Sequence, residues 1–176
     1  RDLVLPFNNH ESETHLHGKH LIYVLKTDDG TNIKNQIVLY DIESGRDKIF
    51  DVEGDVDEVL YHEDTDIILY SVLGWNESNG RQYNKTYRFD PSKNESQHIE
   101  PIRNLANARI HNNKVIFFNS VEGDIAVYDL KKNTLKFEGP NTQVLRYLGF
   151  VVGDDSISFL QHFNESELIF ITYTIR

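Results

Sequence analysis

One short phrase occurs three times along the chain, and it constrains the fold more than any other feature. It reads Ile37-Val38-Leu39-Tyr40-Asp41-Ile42 followed by Glu43-Ser44-Gly45 and Arg46-Asp47-Lys48-Ile49-Phe50. It returns as Ile125-Ala126-Val127-Tyr128-Asp129-Leu130, Lys131-Lys132-Asn133, Thr134-Leu135-Lys136-Phe137. A looser copy lies between them: Thr86-Tyr87-Arg88-Phe89-Asp90, Pro91-Ser92-Lys93-Asn94, then Glu95 to Ile99. Each copy is an apolar strand ending in aromatic-Asp, a short polar turn and a second strand. β-branched and aromatic residues fill pleated faces, while Asp, Ser, Asn and Gly supply turn geometry, so each copy predicts a β-hairpin. The three aspartates are 49 and 39 positions apart, and a fourth apolar run, Leu168 to Ile175, follows at a similar distance. A recurrence of this length marks a repeat architecture.

Around these hairpins the chain is written almost entirely in strand-length runs separated by turns every 8 to 12 residues, with no amphipathic helix pattern. The expected fold is therefore all-β, with about four antiparallel sheets of three to four strands over approximate units 13–52, 56–99, 105–137 and 144–175. Residues 2–7 form an extra short strand whose Pro6 suits a sheet edge.

The matching stretches Leu39-Tyr40-Asp41-Ile42-Glu43-Ser44-Gly45 and Val127-Tyr128-Asp129-Leu130 resemble β-propeller repeats of the WD-repeat and TolB kinds, and Gly18-Lys19-His20-Leu21-Ile22-Tyr23 is similar to their second-strand opening. The resemblance implies four-stranded propeller blades. It departs from the WD pattern in carrying Tyr or Phe where Trp precedes Asp, and in lacking a Gly-His pair at the start of each unit. Two arrangements fit. Strand 2–7 completes the last unit of a closed four-bladed ring, or the chain is an arc of a larger propeller whose open sheet edges invite self-association. The chain begins at Arg1 and has no Met, so an excerpt or a processed product is expected.

A net charge of −10 argues against a nucleic-acid-binding face, which needs clustered Lys and Arg. No apolar run reaches the length of a membrane span, so no membrane insertion is expected. Without cysteine there is neither a disulfide nor a thiolate metal site.

The candidate sites are few. Glu13, His15, His17 and His20 form a histidine-rich stretch, but one strand offers too few convergent ligands, so no metal and no cofactor is expected. Thr27-Asp28-Asp29-Gly30-Thr31-Asn32 lacks the spacing of a calcium loop and reads as a hairpin turn. The acidic run containing Glu53, Asp55 and Asp57 sits on the link between the first two units. An insertion from Gly74 to Asn84 holds the only Trp, and Trp75, Arg81 and Tyr83 give it the composition of a recognition loop. Asn-x-Ser/Thr sequons at Asn76, Asn84, Asn94 and Asn164 are compatible with glycosylation and a secretory-pathway source. No nucleophile elbow, phosphate-cradling glycine loop or zinc-hydrolase motif is present. The expected function is a non-enzymatic module that binds a protein or glycan partner through rim loops. The alternative is the gating propeller of a larger prolyl- or dipeptidyl-peptidase-like hydrolase whose catalytic domain lies outside this chain.

Overall fold

The computed structural model describes residues 14–28, 30, 33–99, 102, 105, 108–119, 124–138, 147–152, 156–162 and 168–174. The expected strand 2–7 lies outside them. The chain divides into two compact units, residues 1–105 and 106–176. Among the described residues there is no α-helix, and the one helical element is a single 3-10 turn, Glu63–Thr65.

The first unit contains two four-stranded antiparallel meanders. One is β1 (Thr14–His17), β2 (His20–Asp28), β3 (Ile33–Asp41) and β4 (Arg46–Val52), paired in chain order. The other is β5 (Asp55–His62), β6 (Ile67–Asn76), β7 (Arg81–Asp90) and β8 (Glu95–His98), also in chain order. The second unit repeats the meander as β9 (Arg109–His111), β10 (Lys114–Asn119), β11 (Asp124–Asp129) and β12 (Thr134–Glu138). It then adds β13 (Tyr147–Val152), β14 (Ser156–His162) and β15 (Leu168–Thr174) as a three-stranded sheet.

The repeated phrase forms the hairpins β3–β4, β7–β8 and β11–β12, closed by the pairs Asp41↔Arg46, Asp90↔Glu95 and Asp129↔Thr134. Each anchor aspartate turns its carboxylate onto the loop that follows. Asp41 Oδ1 accepts from the Ser44 amide at 2.8 Å, and Asp90 Oδ1 from the Ser92 amide at 3.1 Å and hydroxyl at 2.6 Å. Asp129 Oδ1 accepts from the Lys131 and Lys132 amides at 3.0 and 2.9 Å. Four residues after each aspartate the backbone enters the left-handed region, at Gly45 (φ 68°), Asn94 (φ 54°) and Asn133 (φ 54°). Gly and Asn are the residues that tolerate that conformation, which is why the three loops end alike.

Alternation then builds the core of the first unit. Ile22 and Val24 of β2 and Ile37 and Leu39 of β3 pack with Val59 and Tyr61 of β5, Ile68 and Tyr70 of β6 and Phe89 of β7. Phe50 of β4 meets Phe89 edge-on, with ring centroids 5.0 Å apart. From Ile67 to Val72 six consecutive residues of β6 are buried, so both faces of that strand are covered. By contrast, β4 and β8 are mostly exposed and polar, which blunts them as sheet edges.

Candidate functional site

In an antiparallel meander alternate connections fall at the same end of the sheet. The β2–β3 turn, the β4–β5 link and the β6–β7 turn therefore share one end of the first unit, and both sequence-proposed clusters lie there. The pair Asp55↔Leu73 sets the start of β5 two residues from Trp75.

The Gly74–Asn84 stretch is not a loop, which corrects the expectation. It is the far half of a long hairpin: Gly74↔Tyr83, Trp75↔Gln82 and Asn76↔Arg81 are in register, and only residues 77–80 turn. Pairing with β5 stops at Asp55↔Leu73 and pairing with β8 at Tyr87↔His98. Residues 74–76 and 81–83 thus continue as a two-stranded ribbon past both neighbours. Asn76 sets its turn, with Oδ1 accepting from the Ser78 amide at 3.0 Å and hydroxyl at 2.6 Å, and Gly80 closes it at φ 63°.

Register also decides which side chains act together. Residues directly opposite share a face, so Trp75 lies with Gln82, Leu73 and Asn84, whereas Tyr83 lies with Arg81, Asn76 and Lys85. Trp75 is 64% exposed and Tyr83 41%. The two aromatics are displayed on opposite sides of the ribbon rather than as one platform. Tyr83 lies across Gly74, and Lys85 Nζ sits 5.2 Å from its ring centroid. On the Trp75 side, deeper in the sheet, Ser71 and Thr86 face each other, fully buried, with hydroxyls that have no hydrogen-bond partner.

The acidic residues are distributed differently. Asp55 is bridged to Lys26 of β2 at 2.5 Å, while Asp51 receives Gln36 Nε2 at 2.6 Å and Lys34 Nζ at 2.9 Å. Those two contacts, the Gln36 hydrogen bond foremost, hold the Asp51 carboxyl below the usual range. Glu53 is exposed on the link, and Asp57 is half-buried on β5. Gly54 (φ 87°) brings that link tight against Val72, where a methyl group would fall 2.3 Å from Cγ1. The sequence alone does not reveal Lys26 and Lys85 as parts of this rim, since only the fold brings them there.

At the sequons, Asn76 is exposed at the end of β6, Asn94 is exposed in the turn after β7, Asn84 is half-buried on β7 beside the buried Thr86, and Asn164 is outside the described residues. Asp28 ends β2, and most of the turn after it is also outside them.

The histidines gather at the opposite end of the first unit. His15 and His17 of β1, His20 of β2 and His62 of β5 lie where the two sheets meet. Among the described residues no group of three or more His, Asp or Glu converges as a metal site, and no helix is long and apolar enough to cross a membrane.

No family model matches the chain, and no curated protein does. Among solved structures, the β-propeller domain of the Trilobed protease from Pyrococcus furiosus, described as having an open velcro topology, is similar at a TM-score of 0.58 and 15% identity. The match covers 94% of this chain and 55% of that domain, so the chain spans about half the length of the propeller it resembles. The acylaminoacyl peptidase of Pyrococcus horikoshii matches at a TM-score of 0.37 and 9% identity, over 92% of this chain and 44% of that one. Successive four-stranded meanders and the first of these likenesses make the fold a β-propeller fold.

Proposed function

We infer that the chain is a non-enzymatic recognition module that engages a protein or glycan partner through the β6–β7 ribbon. The supporting observation is the ribbon itself: two strands run past their sheet neighbours and end in an exposed Trp. A large indole left in water adds nothing to folding, whereas aromatic and Arg side chains are the usual anchors of binding surfaces. The Trp75 face, which also carries Gln82 and Asn84, suits stacking on a sugar. The Arg81–Tyr83–Lys85 face suits a protein carboxylate. The tyrosine- or phenylalanine-Asp turns support reading the blades as a variant of the WD-repeat or TolB type.

Binding of wild type, Trp75→Ala and Arg81→Ala to glycan and peptide arrays tests this. The expected result is a signal that one substitution abolishes while the melting temperature is unchanged. Equal binding by all three proteins overturns it.

A second reading has its own support, since the similar propeller of known structure belongs to a protease. In that reading the chain is the gating propeller of a larger hydrolase. Sequencing the gene on either side decides: an adjoining α/β-hydrolase pattern favours it, and none removes it.

A further inference from the structure

Three histidines of the β1–β2 hairpin and a fourth, distant in the sequence, meet along the seam between the first two sheets. On β1, His15 and His17 point to the same face, with ring centroids 6.2 Å apart. His17 is paired with His20 across a two-residue turn at Gly18, and His62 ends β5, against which β1 packs. The turn is clamped from the other sheet: a methyl group on Gly18 would fall 2.3 Å from Glu63 Oε2. His20 Nδ1 is 3.5 Å from Glu63 Oε1, its Nε2 is 3.7 Å from Asp41 Oδ2, and its ring meets Tyr61 edge-on at 5.1 Å. Tyr61 in turn donates to Asp66 at 3.0 Å. His62 Nδ1 is bonded to Thr65 Oγ1 at 2.8 Å, and Lys19 and Glu43 pair at 3.5 Å on the outside of the turn.

Charge is divided unevenly along this seam. Two carboxylates attend His20, and a third holds Tyr61. The groups that act on His17 are the other histidines, His15 and His62. His17 is largely shielded from water, and its Nε2 is buried without a hydrogen-bond partner. A proton on His17 therefore enters a partly buried site beside two further histidines.

We propose that this seam is a proton-sensitive latch: at neutral pH an uncharged His17 keeps β1 seated on β2 and β5, and acidification releases β1 while the His20–Glu63–Asp41 clamp holds the rest. β1 is suited to the role. It is four residues long, and among the described residues it pairs with β2 alone. Its loss exposes the backbone edge of β2, the kind of surface to which another strand adds.

The direction follows from linkage. Burial and the neighbouring histidines lower the pKa of His17 from its ordinary 6.5. The seated strand thus binds its proton less readily than the released one, and seating is lost as pH falls below that value. Each unit of depression corresponds to about a tenfold change in the seating equilibrium.

Amide hydrogen exchange of the wild-type chain at pH 7.5 and 5.0, corrected for intrinsic rates, reads this directly. The expected result is a loss of protection of about tenfold at pH 5.0, confined to Leu16, His17 and the β2 amides that face them. His17→Gln should remove that pH dependence, and His20→Gln should enlarge it, because the clamp is then weakened as well. Equal protection of β1 at the two pH values, or an undiminished pH dependence in His17→Gln, overturns the proposal. Should His17→Gln fail to fold, NMR titration of the wild-type imidazoles decides, and a His17 that titrates at or above 6.5 sinks it.

Discussion

Tyr83 covers the backbone of Gly74: a methyl group placed on that glycine would lie 2.2 Å from the tyrosine Cζ. An aromatic ring laid across the glycine opposite shields the bare backbone and stiffens the ribbon. Gly74→Ala therefore displaces the ring and breaks its contact with Lys85. The expected loss of stability is modest, about 0.2–1 kcal/mol, the size of one cross-strand pair. Urea denaturation measures it, and Tyr83→Ala should produce a similar loss.

Trp75 behaves in the opposite way. Its side chain is largely in water, so Trp75→Ala should leave stability within about 0.5 kcal/mol of the wild type. As the only Trp, it also reports on itself. Its native fluorescence should be quenched by acrylamide almost as efficiently as that of the unfolded chain. A shielded indole would show that the ribbon is covered.

Ile37 lies at the centre of the first unit's core, and Ile37→Ala should lower stability by about 2–5 kcal/mol through lost burial and the cavity left behind. In chemical denaturation the midpoint should move with little change in slope.

Ser71 and Thr86 offer the reverse experiment. Their buried hydroxyls have no partner, and an unsatisfied buried polar group costs about 1–3 kcal/mol. Thr86→Val keeps the shape and removes one such hydroxyl, so stability should stay level or rise. A clear loss would indicate a hydrogen bond to that hydroxyl in solution.

The anchor aspartates set the acid limb of stability. Hydrogen bonds from their own loops, chiefly the Ser44 amide for Asp41, the Ser92 hydroxyl for Asp90 and the Lys132 amide for Asp129, lower all three from an ordinary 3.8. A carboxyl lowered on folding contributes fully above its unfolded value, and that contribution disappears as pH falls through the folded one. The urea midpoint should therefore fall below about pH 4. The triple variant Asp41→Asn, Asp90→Asn, Asp129→Asn should show a shallower drop. The limb is distinct from the histidine-linked change, which begins above it.

These aspartates were legible because the chemistry that builds a turn is local: aspartate, small polar residues and a left-handed Gly or Asn all fall within five positions. The ribbon was not. Exposed on both faces, Trp75 to Tyr83 has no need of apolar alternation, so its strands read as a polar insertion. The display of Trp75 and Tyr83 on opposite faces was hidden for the same reason, since it depends on register. His62 could not be grouped with His17 from the sequence either. They are 45 positions apart and meet only because one sheet packs on the next.

The left-handed residue that closes each repeated loop has a consequence for how such a chain can lengthen. A turn whose donors, acceptor and reversed backbone all belong to five adjacent residues asks nothing of the rest of the molecule. A duplicated segment of DNA would carry a finished corner with it, ready to direct two strands wherever it lands. Copies are then free to drift in their outward residues, as Glu43-Ser44, Ser92-Lys93 and Lys131-Lys132 have, while aspartate and Gly or Asn stay fixed at the two ends of the loop.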